Sequence, residues 1–173
     1  RKIHCIGIGG IGLSAIAEIL LSRGYSVSGS DMKESDITDR LRQTGAVIYL
    51  EHVAENVEGA DLVVYSAAIA EENPEMVRAK ELGIPTASRA EILGLLMDEY
   101  PNSIAISGTH GKTTTTSMVS VILEKNKLEP TILVGGYLSE IDGNYKVGDG
   151  SFFVYMDSQG RRAPSYLWSS AIS

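Results

Sequence analysis

Short apolar runs and amphipathic stretches follow one another along the first half of the chain. The apolar runs predict strands over residues 3–8, 25–29, 46–49, 62–65 and 84–86. Between them, apolar residues at helical spacing or charged amphipathic patterns predict helices over residues 11–21, 36–43, 75–82 and 90–97. Such regular alternation is typical of an α/β fold in which crossover helices join parallel strands.

A polar, proline-containing segment then interrupts this alternation. It covers residues 98–102 and is typical of a linker between domains. A new strand–loop–helix unit follows, with a helix over residues 113–123 and a strand over residues 131–134. We therefore predict a Rossmann-like N-terminal domain with a parallel sheet over residues 1–97, then an incomplete P-loop-type α/β domain over residues 103–155. The second domain offers two or three strands, too few for a complete sheet layer.

Composition narrows the classes of partner. The 173-residue chain has a net charge of −7 and no extended basic run, which argues against nucleic acid as a partner. No apolar stretch approaches the length of a membrane span, so we expect no membrane partner. Cys5 is the only cysteine, which excludes an internal disulfide framework and fits a reducing cytoplasm. Its place in an apolar strand predicts a buried structural thiol.

The first candidate site is a glycine cluster directly after the first predicted strand. Gly7, Gly9 and Gly12 satisfy the Gly-x-Gly-x-x-Gly spacing, and Asp31 follows the second strand. In dinucleotide folds such glycines allow a tight turn beside a pyrophosphate, and the acid bonds a ribose hydroxyl. Alone, this pattern favours an NAD(P)-binding dehydrogenase or sensor module. A ligand-free turn, with Asp31 as a helix N-cap, is the structural alternative.

The second candidate site is a glycine- and hydroxyl-rich loop over residues 107–116, Ser-Gly-Thr-His-Gly-Lys-Thr-Thr-Thr-Thr. Here backbone amides and a helix N-terminus would face an anion, Lys112 would add a positive charge, and Thr113 could reach a metal ion. The spacing departs from the standard P-loop, because Ile106 stands where that motif has its first glycine. The loop predicts a nucleotide phosphate site, which a dehydrogenase would leave unexplained.

Together, the two motifs resemble the Mur ligase family, in which both occur in this order about a hundred residues apart. The stretches that carry the resemblance are residues 4–18, 27–31, 64–69, 73–75, 88–93 and 107–116. The resemblance extends from residue 1 to about residue 155. It implies a three-domain ligase, of which this chain holds the domain for the UDP part of the substrate and the opening of the ATP-binding domain.

The reaction that the resemblance implies is ATP-dependent amide formation through an acyl phosphate. It would join L-alanine to UDP-N-acetylmuramate in the cytoplasm, in peptidoglycan (cell wall) biosynthesis and hence in cell shape and cell division. The implied cofactors are ATP and Mg²⁺, because phosphoryl transfer between two anions needs a metal ion and a cationic clamp to offset charge. L-alanine would bind through a third domain that is missing from this chain.

The resemblance assigns the residues of both sites. For ATP they are Gly108, Thr109, His110, Gly111, Lys112, Thr113 and Thr114, with Lys112 as the catalytic residue and Thr113 as the metal ligand. For UDP-N-acetylmuramate they are Gly7, Gly9, Gly10, Ile11, Gly12, Asp31, Ser66, Ile69 and Arg89.

Several of these residues keep a second interpretation at this point. Ser66 and Ile69 could serve simple strand-end packing, and Arg89 could form a surface ion pair with Glu18 or Glu91. His110 could contact phosphate or only shape its loop. Thr115 and Thr116 could be ordinary helix residues. His4 and His52 match family positions, but a lone histidine is more often structural than functional.

The sequence departs from the family after Tyr155. The family has an acidic stretch there, whose glutamate helps to hold the metal, whereas residues 156–173 lack it. We predict that these residues are a non-native tail. Without that metal ligand and the alanine-binding domain, we expect the chain by itself to be inactive as a ligase.

Overall fold

The computed structural model describes residues 1–156 of the chain. The chain divides into two compact units, Arg1–Ile92 and Leu93–Ser173. The division falls inside a helix, a few residues before the segment 98–102. The linker and the domain bounds given by the sequence therefore stay predictions.

The first unit contains a five-stranded sheet. Its strands are β1 (Lys2–Ile6), β2 (Ser26–Ser30), β3 (Val47–Tyr49), β4 (Leu62–Tyr65) and β5 (Thr86–Ser88). They lie in the order β3-β2-β1-β4-β5, and every neighbouring pair is parallel. The predicted α/β class with a parallel N-terminal sheet is thus confirmed. β1 ends two residues earlier than predicted, because Gly7 adopts a left-handed φ of 80° and turns the chain.

Four helices join these strands. They are α1 (Ile11–Ser22), α2 (Asp36–Gln43), α3 (Pro74–Glu81) and α4 (Arg89–Asp98), with a short 3₁₀ helix at Ala54–Val57. Ser35 caps α2 in a capping box with Thr38, and the Asn73 side chain caps α3 ahead of Pro74. The alternative role of Asp31 as the N-cap of the following helix is therefore wrong.

Buried apolar residues of β1, β4 and α3 form one core cluster of the first unit. It includes Ile6, Val63, Met76 and Ala79. Cys5 is fully buried in β1, and burial raises the pKa of its thiol to about 12. A thiol held so firmly in its protonated form is a poor nucleophile, in keeping with the structural role predicted for it.

Gly29 in β2 has no room for a side chain. A Cβ atom there would lie 2.5 Å from Cδ1 of Ile8 and 2.6 Å from the carbonyl oxygen of Cys5. We expect Gly29→Ala to lower the free energy of unfolding by about 1–3 kcal/mol, the usual cost of overpacking. Urea denaturation checks this, with Gly10→Ala as the control, because a Cβ at Gly10 meets nothing closer than 3.4 Å. Equal stability of Gly29→Ala and the wild type would contradict the prediction.

The second unit contains a four-stranded sheet beside one long helix. Its elements are β6 (Asn102–Ile106), α5 (Lys112–Lys125), β7 (Thr131–Leu138), β8 (Gly143–Lys146) and β9 (Phe152–Met156), with a 3₁₀ turn at Ser139–Ile141. The order is β6-β9-β7-β8, with β8 antiparallel to β7 and the other pairs parallel. The prediction of two or three strands was therefore too low, because β8 and β9 add to the sheet.

Buried residues of α5, β7 and β9 form the core of this unit, among them Leu123, Ile132, Val154 and Met156. Met156 is the last residue of β9 and pairs with Val134. The remainder of the predicted tail, residues 157–173, lies outside the described residues. No helix within residues 1–156 is both long enough and apolar enough to cross a membrane.

Candidate functional site

The glycine-rich loop between β1 and α1 is a tight turn held by its own backbone. The amides of Gly7 and Ile8 both donate to the carbonyl oxygen of Ser30, at 2.8 and 3.0 Å. The amide of Gly10 donates to the carbonyl oxygen of Gly7 at 3.2 Å. These amides shape the turn, so an anion would be met by the first turn of α1, where a helix N-terminus favours negative charge.

The first two glycines of the motif each lie against a residue that the sequence assigned to the same site. A Cβ atom on Gly7 would lie 2.9 Å from Oγ of Ser66 and 3.5 Å from Cδ1 of Ile69. A Cβ atom on Gly9 would lie 2.7 Å from Oδ2 of Asp31. The structure thus brings Asp31, which follows β2, and Ser66 and Ile69, which follow β4, to the same loop.

Asp31 holds the loop through one of its carboxylate oxygens, while the other bonds within its own segment. Oδ2 accepts the amide hydrogen of Gly9 at 2.9 Å, and Oδ1 accepts that of Lys33 at 3.1 Å. The predicted contact of Asp31 with a ribose or uridine stays a prediction. The observed bonds add a role that the sequence did not suggest, which is to fix the backbone of the middle glycine.

Arg89 places a positive charge beside the third glycine of the motif. Its Nη1 atom lies 2.8 Å from where a Cβ atom on Gly12 would stand, beside the first turn of α1. Glu18 pairs with Arg40, and Glu91 accepts hydrogen bonds at the start of α4. Within residues 1–156 neither acid pairs with Arg89, and the contact of its guanidinium with a substrate phosphate stays a prediction.

The second loop, between β6 and α5, needs glycine at two positions. Gly108 has φ 153° and Gly111 has φ 76°, and Gly111 is the N-cap of α5. The ammonium of Lys112 donates to the carbonyl oxygen of Gly108 at 2.6 Å and so lies across the loop. A Cβ atom on Gly111 would meet no atom within 4 Å, so the space beside the loop is open.

The first turn of α5 fits a nucleotide phosphate. The first backbone bond into the helix is that of the Thr115 amide to the Gly111 carbonyl, so the amides before it have no intrahelical partner. Thr113 and Thr114 are exposed on this turn, whereas Thr116 is buried and bonds the Lys112 carbonyl as an ordinary helix residue.

The donor set of this loop also suits ATP and Mg²⁺. Backbone amides and the Lys112 ammonium match phosphate oxygens, and the Thr113 hydroxyl matches a metal that is bound mainly by phosphates. His110 is exposed, with Nδ1 3.2 Å from the Thr109 hydroxyl, so its contact with phosphate stays a prediction. Residues 1–156 hold no group of three or more His, Cys, Asp or Glu side chains that could bind a metal ion.

The sequence did not reveal a buried carboxylate beneath the glycine-rich loop. Glu75 is fully buried and accepts hydrogen bonds from His4 Nε2 at 3.1 Å, Ser30 Oγ at 2.7 Å, His52 Nδ1 at 2.7 Å and Asn56 Nδ2 at 2.8 Å. Burial raises the pKa of the Glu75 carboxyl, but these hydrogen bonds outweigh that effect and hold the pKa below its ordinary value. His4 and His52 are therefore parts of one polar network rather than isolated residues.

Comparison with known proteins identifies the class of protein to which this chain belongs. Residues 2–101 match the Mur ligase family, catalytic domain. This chain belongs to the Mur ligase family, as its motifs predicted.

Two of the similar curated proteins share one name, UDP-N-acetylmuramate–L-alanine ligase. The UDP-N-acetylmuramate–L-alanine ligase of Alkaliphilus metalliredigens is 58% identical over 154 residues, which are 89% of this chain and 34% of the relative. That of Acetivibrio thermocellus is 54% identical over 154 residues, again 89% of this chain and 33% of the relative. The chain thus spans about a third of the length of the curated relatives that it matches.

Solved structures agree with this assignment. The UDP-N-acetylmuramate–alanine ligase of Thermotoga maritima has a TM-score of 0.78 and 38% identity, covering 89% of this chain and 36% of that protein. The UDP-N-acetylmuramate:L-alanyl-γ-D-glutamyl-meso-diaminopimelate ligase of Neisseria meningitides has a TM-score of 0.80 and 28% identity, covering 90% and 52%. These matches are all to ligases, so they give no support to the alternative of an NAD(P)-binding dehydrogenase or sensor module.

Proposed function

We propose that this chain is the sugar-nucleotide-binding part, with the phosphate-binding loop for ATP, of a ligase that joins L-alanine to UDP-N-acetylmuramate. The observation that carries the proposal is the presence of two different anion loops in one chain. One has Arg89 at its helix N-terminus, and the other has Lys112 across it. A dehydrogenase needs only the first loop, whereas a ligase that activates a sugar nucleotide with ATP needs both.

The glycine-rich loop of the first unit would hold the diphosphate of UDP-N-acetylmuramate. The N-terminus of α1, with the residues Gly10, Ile11 and Gly12, would face the phosphates, and Arg89 would neutralise their charge. Ser66 and Ile69 lie against Gly7 and would contact the uridine. Asp31 would reach the ribose while it keeps the Gly9 amide in place.

The loop of the second unit would hold the triphosphate of ATP. The residues proposed for this task are Gly108, Thr109, His110, Gly111, Lys112, Thr113 and Thr114, with the Thr113 hydroxyl as a ligand of Mg²⁺. ATP supplies the phosphoryl group that turns the lactyl carboxylate of the sugar nucleotide into an acyl phosphate, a good electrophile for the amine of L-alanine. Lys112 would offset the charge that builds up as two anions approach.

L-alanine is favoured over a peptide as the second substrate. The relatives that use L-alanine are 54–58% identical to this chain, whereas the peptide ligase of similar fold is 28% identical. These figures support one substrate class over the other, and the first unit would bind the same sugar nucleotide in either case.

We expect UDP-N-acetylmuramate to raise the melting temperature of the 173-residue chain and NAD to leave it unchanged. A ligand that binds only the folded state raises the free energy of unfolding by RT ln(1 + [L]/Kd), which is about 2.7 kcal/mol when the ligand concentration is a hundred times Kd. A thermal-shift titration with each compound measures the difference. The same chain, given ATP, Mg²⁺ and both substrates, is expected to form no product by itself. Stabilisation by NAD without any effect of UDP-N-acetylmuramate would overturn the proposed function.

A further inference from the structure

The buried Glu75 carboxylate is satisfied by four donors, two on each oxygen. Oε1 accepts from His4 Nε2 and Asn56 Nδ2, and Oε2 accepts from Ser30 Oγ and His52 Nδ1. These donors come from β1, β2, the 3₁₀ helix and the segment between β3 and that helix. One carboxylate therefore ties together several parts of the first unit that are distant in sequence.

α3 places this carboxylate where its charge is tolerated. The Asn73 side chain accepts the amide hydrogen of Glu75 at 2.9 Å, and Pro74 is the first residue of the helix. Glu75 thus lies in the first turn of α3, where the helix dipole favours a negative charge. The four hydrogen bonds to its oxygens replace those that water would make, so the carboxylate can stay charged while buried.

Ser30 links the carboxylate to the glycine-rich loop. Its hydroxyl donates to Glu75 Oε2 at 2.7 Å, and its carbonyl oxygen accepts the amide hydrogens of Gly7 and Ile8. The next residue, Asp31, accepts the amide hydrogen of Gly9. The position of residues 30 and 31 therefore sets the backbone of the loop at three consecutive amides.

We propose that Glu75 is a positioning residue for the glycine-rich loop and that its carboxylate, acting through Ser30, sets the affinity of this loop for a nucleoside diphosphate. The ligand class rests on the proposed function, which assigns the loop to the diphosphate of a UDP-sugar. Glu75 itself does not contact the ligand. A buried carboxylate fixes the positions of its neighbours more closely than an apolar side chain does, because each donor must point at one of its oxygens.

Glu75→Gln tests this link at nearly constant shape. The new amide nitrogen can only donate, so the Ser30 hydroxyl and the His52 ring would have to turn from donors to acceptors if they face it, and the charge-assisted hydrogen bond from Ser30 is lost. We expect the affinity for UDP, measured by calorimetric titration well below the melting temperature, to fall about tenfold. Hydrogen exchange at the Gly7 and Ile8 amides is expected to quicken about tenfold, because the Ser30 carbonyl is no longer fixed.

Glu81→Gln is the matched control, since it removes the same charge from the exposed end of α3. It should keep wild-type affinity and exchange. A purely structural role of Glu75 would lower the melting temperature but leave UDP affinity unchanged below it, and that result would overturn the proposal. If Glu75→Gln does not fold, Ser30→Ala breaks the link from the other side. It is expected to weaken UDP about threefold, and unchanged affinity there would also overturn it.

The two proposals fail in different ways. If the wild-type chain does not bind UDP, the assigned ligand of the first unit is wrong, and amide exchange at Gly7 and Ile8 then decides the positioning role alone. If the wild type binds UDP and Glu75→Gln binds it equally well with unchanged exchange, the proposed function stands and the positioning role is refuted.

Discussion

Replacing Lys112 with alanine is expected to lower ligase turnover by a factor of about one hundred to one thousand. The ammonium of Lys112 lies across the loop and donates to the Gly108 carbonyl, so it is already held at the loop that we propose for the triphosphate. In phosphoryl transfer most of the catalysis comes from positioning and from charge stabilisation. Alanine at this position would remove the positive charge of the loop without changing its glycines.

The measurement needs a complete ligase. In the Alkaliphilus metalliredigens relative, the matching 154 residues can be replaced by those of this chain, with which they are 58% identical. Phosphate release is then followed with ATP, Mg²⁺, UDP-N-acetylmuramate and L-alanine. Lys125→Ala, in the last turn of the same helix and exposed, is the matched control and should keep full turnover. Near-normal turnover of Lys112→Ala would reject the role of this lysine in catalysis.

The sequence predicted most of the first unit because its signals are local. β4 and α2 begin and end where the pattern placed them, since an apolar run and a capped charged helix have clear bounds. Four helices and five parallel strands follow from the same alternation. The glycine spacing located the loop, because positive φ angles and close approach require that residue type.

The second unit was predicted less completely. β8 covers Gly-Asn-Tyr-Lys, a segment with a glycine and two polar residues that does not resemble a strand on its own. It forms because β7 offers an edge with which it pairs in antiparallel register. β9 is apolar but lies close to the end of the recognisable pattern. Whether these two segments form strands depends on their pairing with other strands, and no local sequence signal shows that pairing.

The Glu75 network could not be predicted for a related reason. Its members stand at positions 4, 30, 52, 56 and 75, and nothing in the local sequence shows that they meet. A glutamate in the first turn of a helix is ordinary at the surface, so only the fold reveals that this one is buried. The contact between Arg89 and Gly12 is similar, because it depends on how α4 begins beside α1.

Replacing Gly9 with valine is expected to weaken the binding of UDP-N-acetylmuramate by at least about a hundredfold. The new Cβ atom would lie 2.7 Å from Oδ2 of Asp31 and 3.3 Å from Cγ2 of Thr38. Asp31 would then have to move, and its bond to the Gly9 amide would be lost. The branched side chain would also keep a diphosphate away from the backbone at the motif's central glycine.

Calorimetric titration of the 173-residue chain and its Gly9→Val variant measures the effect, with far-UV circular dichroism to show that both are folded. Gly143→Val is the matched control, because a Cβ atom at Gly143 meets no atom closer than 3.9 Å and the residue lies in the other unit. It should bind as the wild type does. The smaller variant Gly9→Ala should give an intermediate loss, because its Cβ meets Asp31 but brings no branched side chain toward the phosphates. If folded Gly9→Val binds as tightly as the wild type, the diphosphate does not approach this loop, and the assignment of the first unit fails.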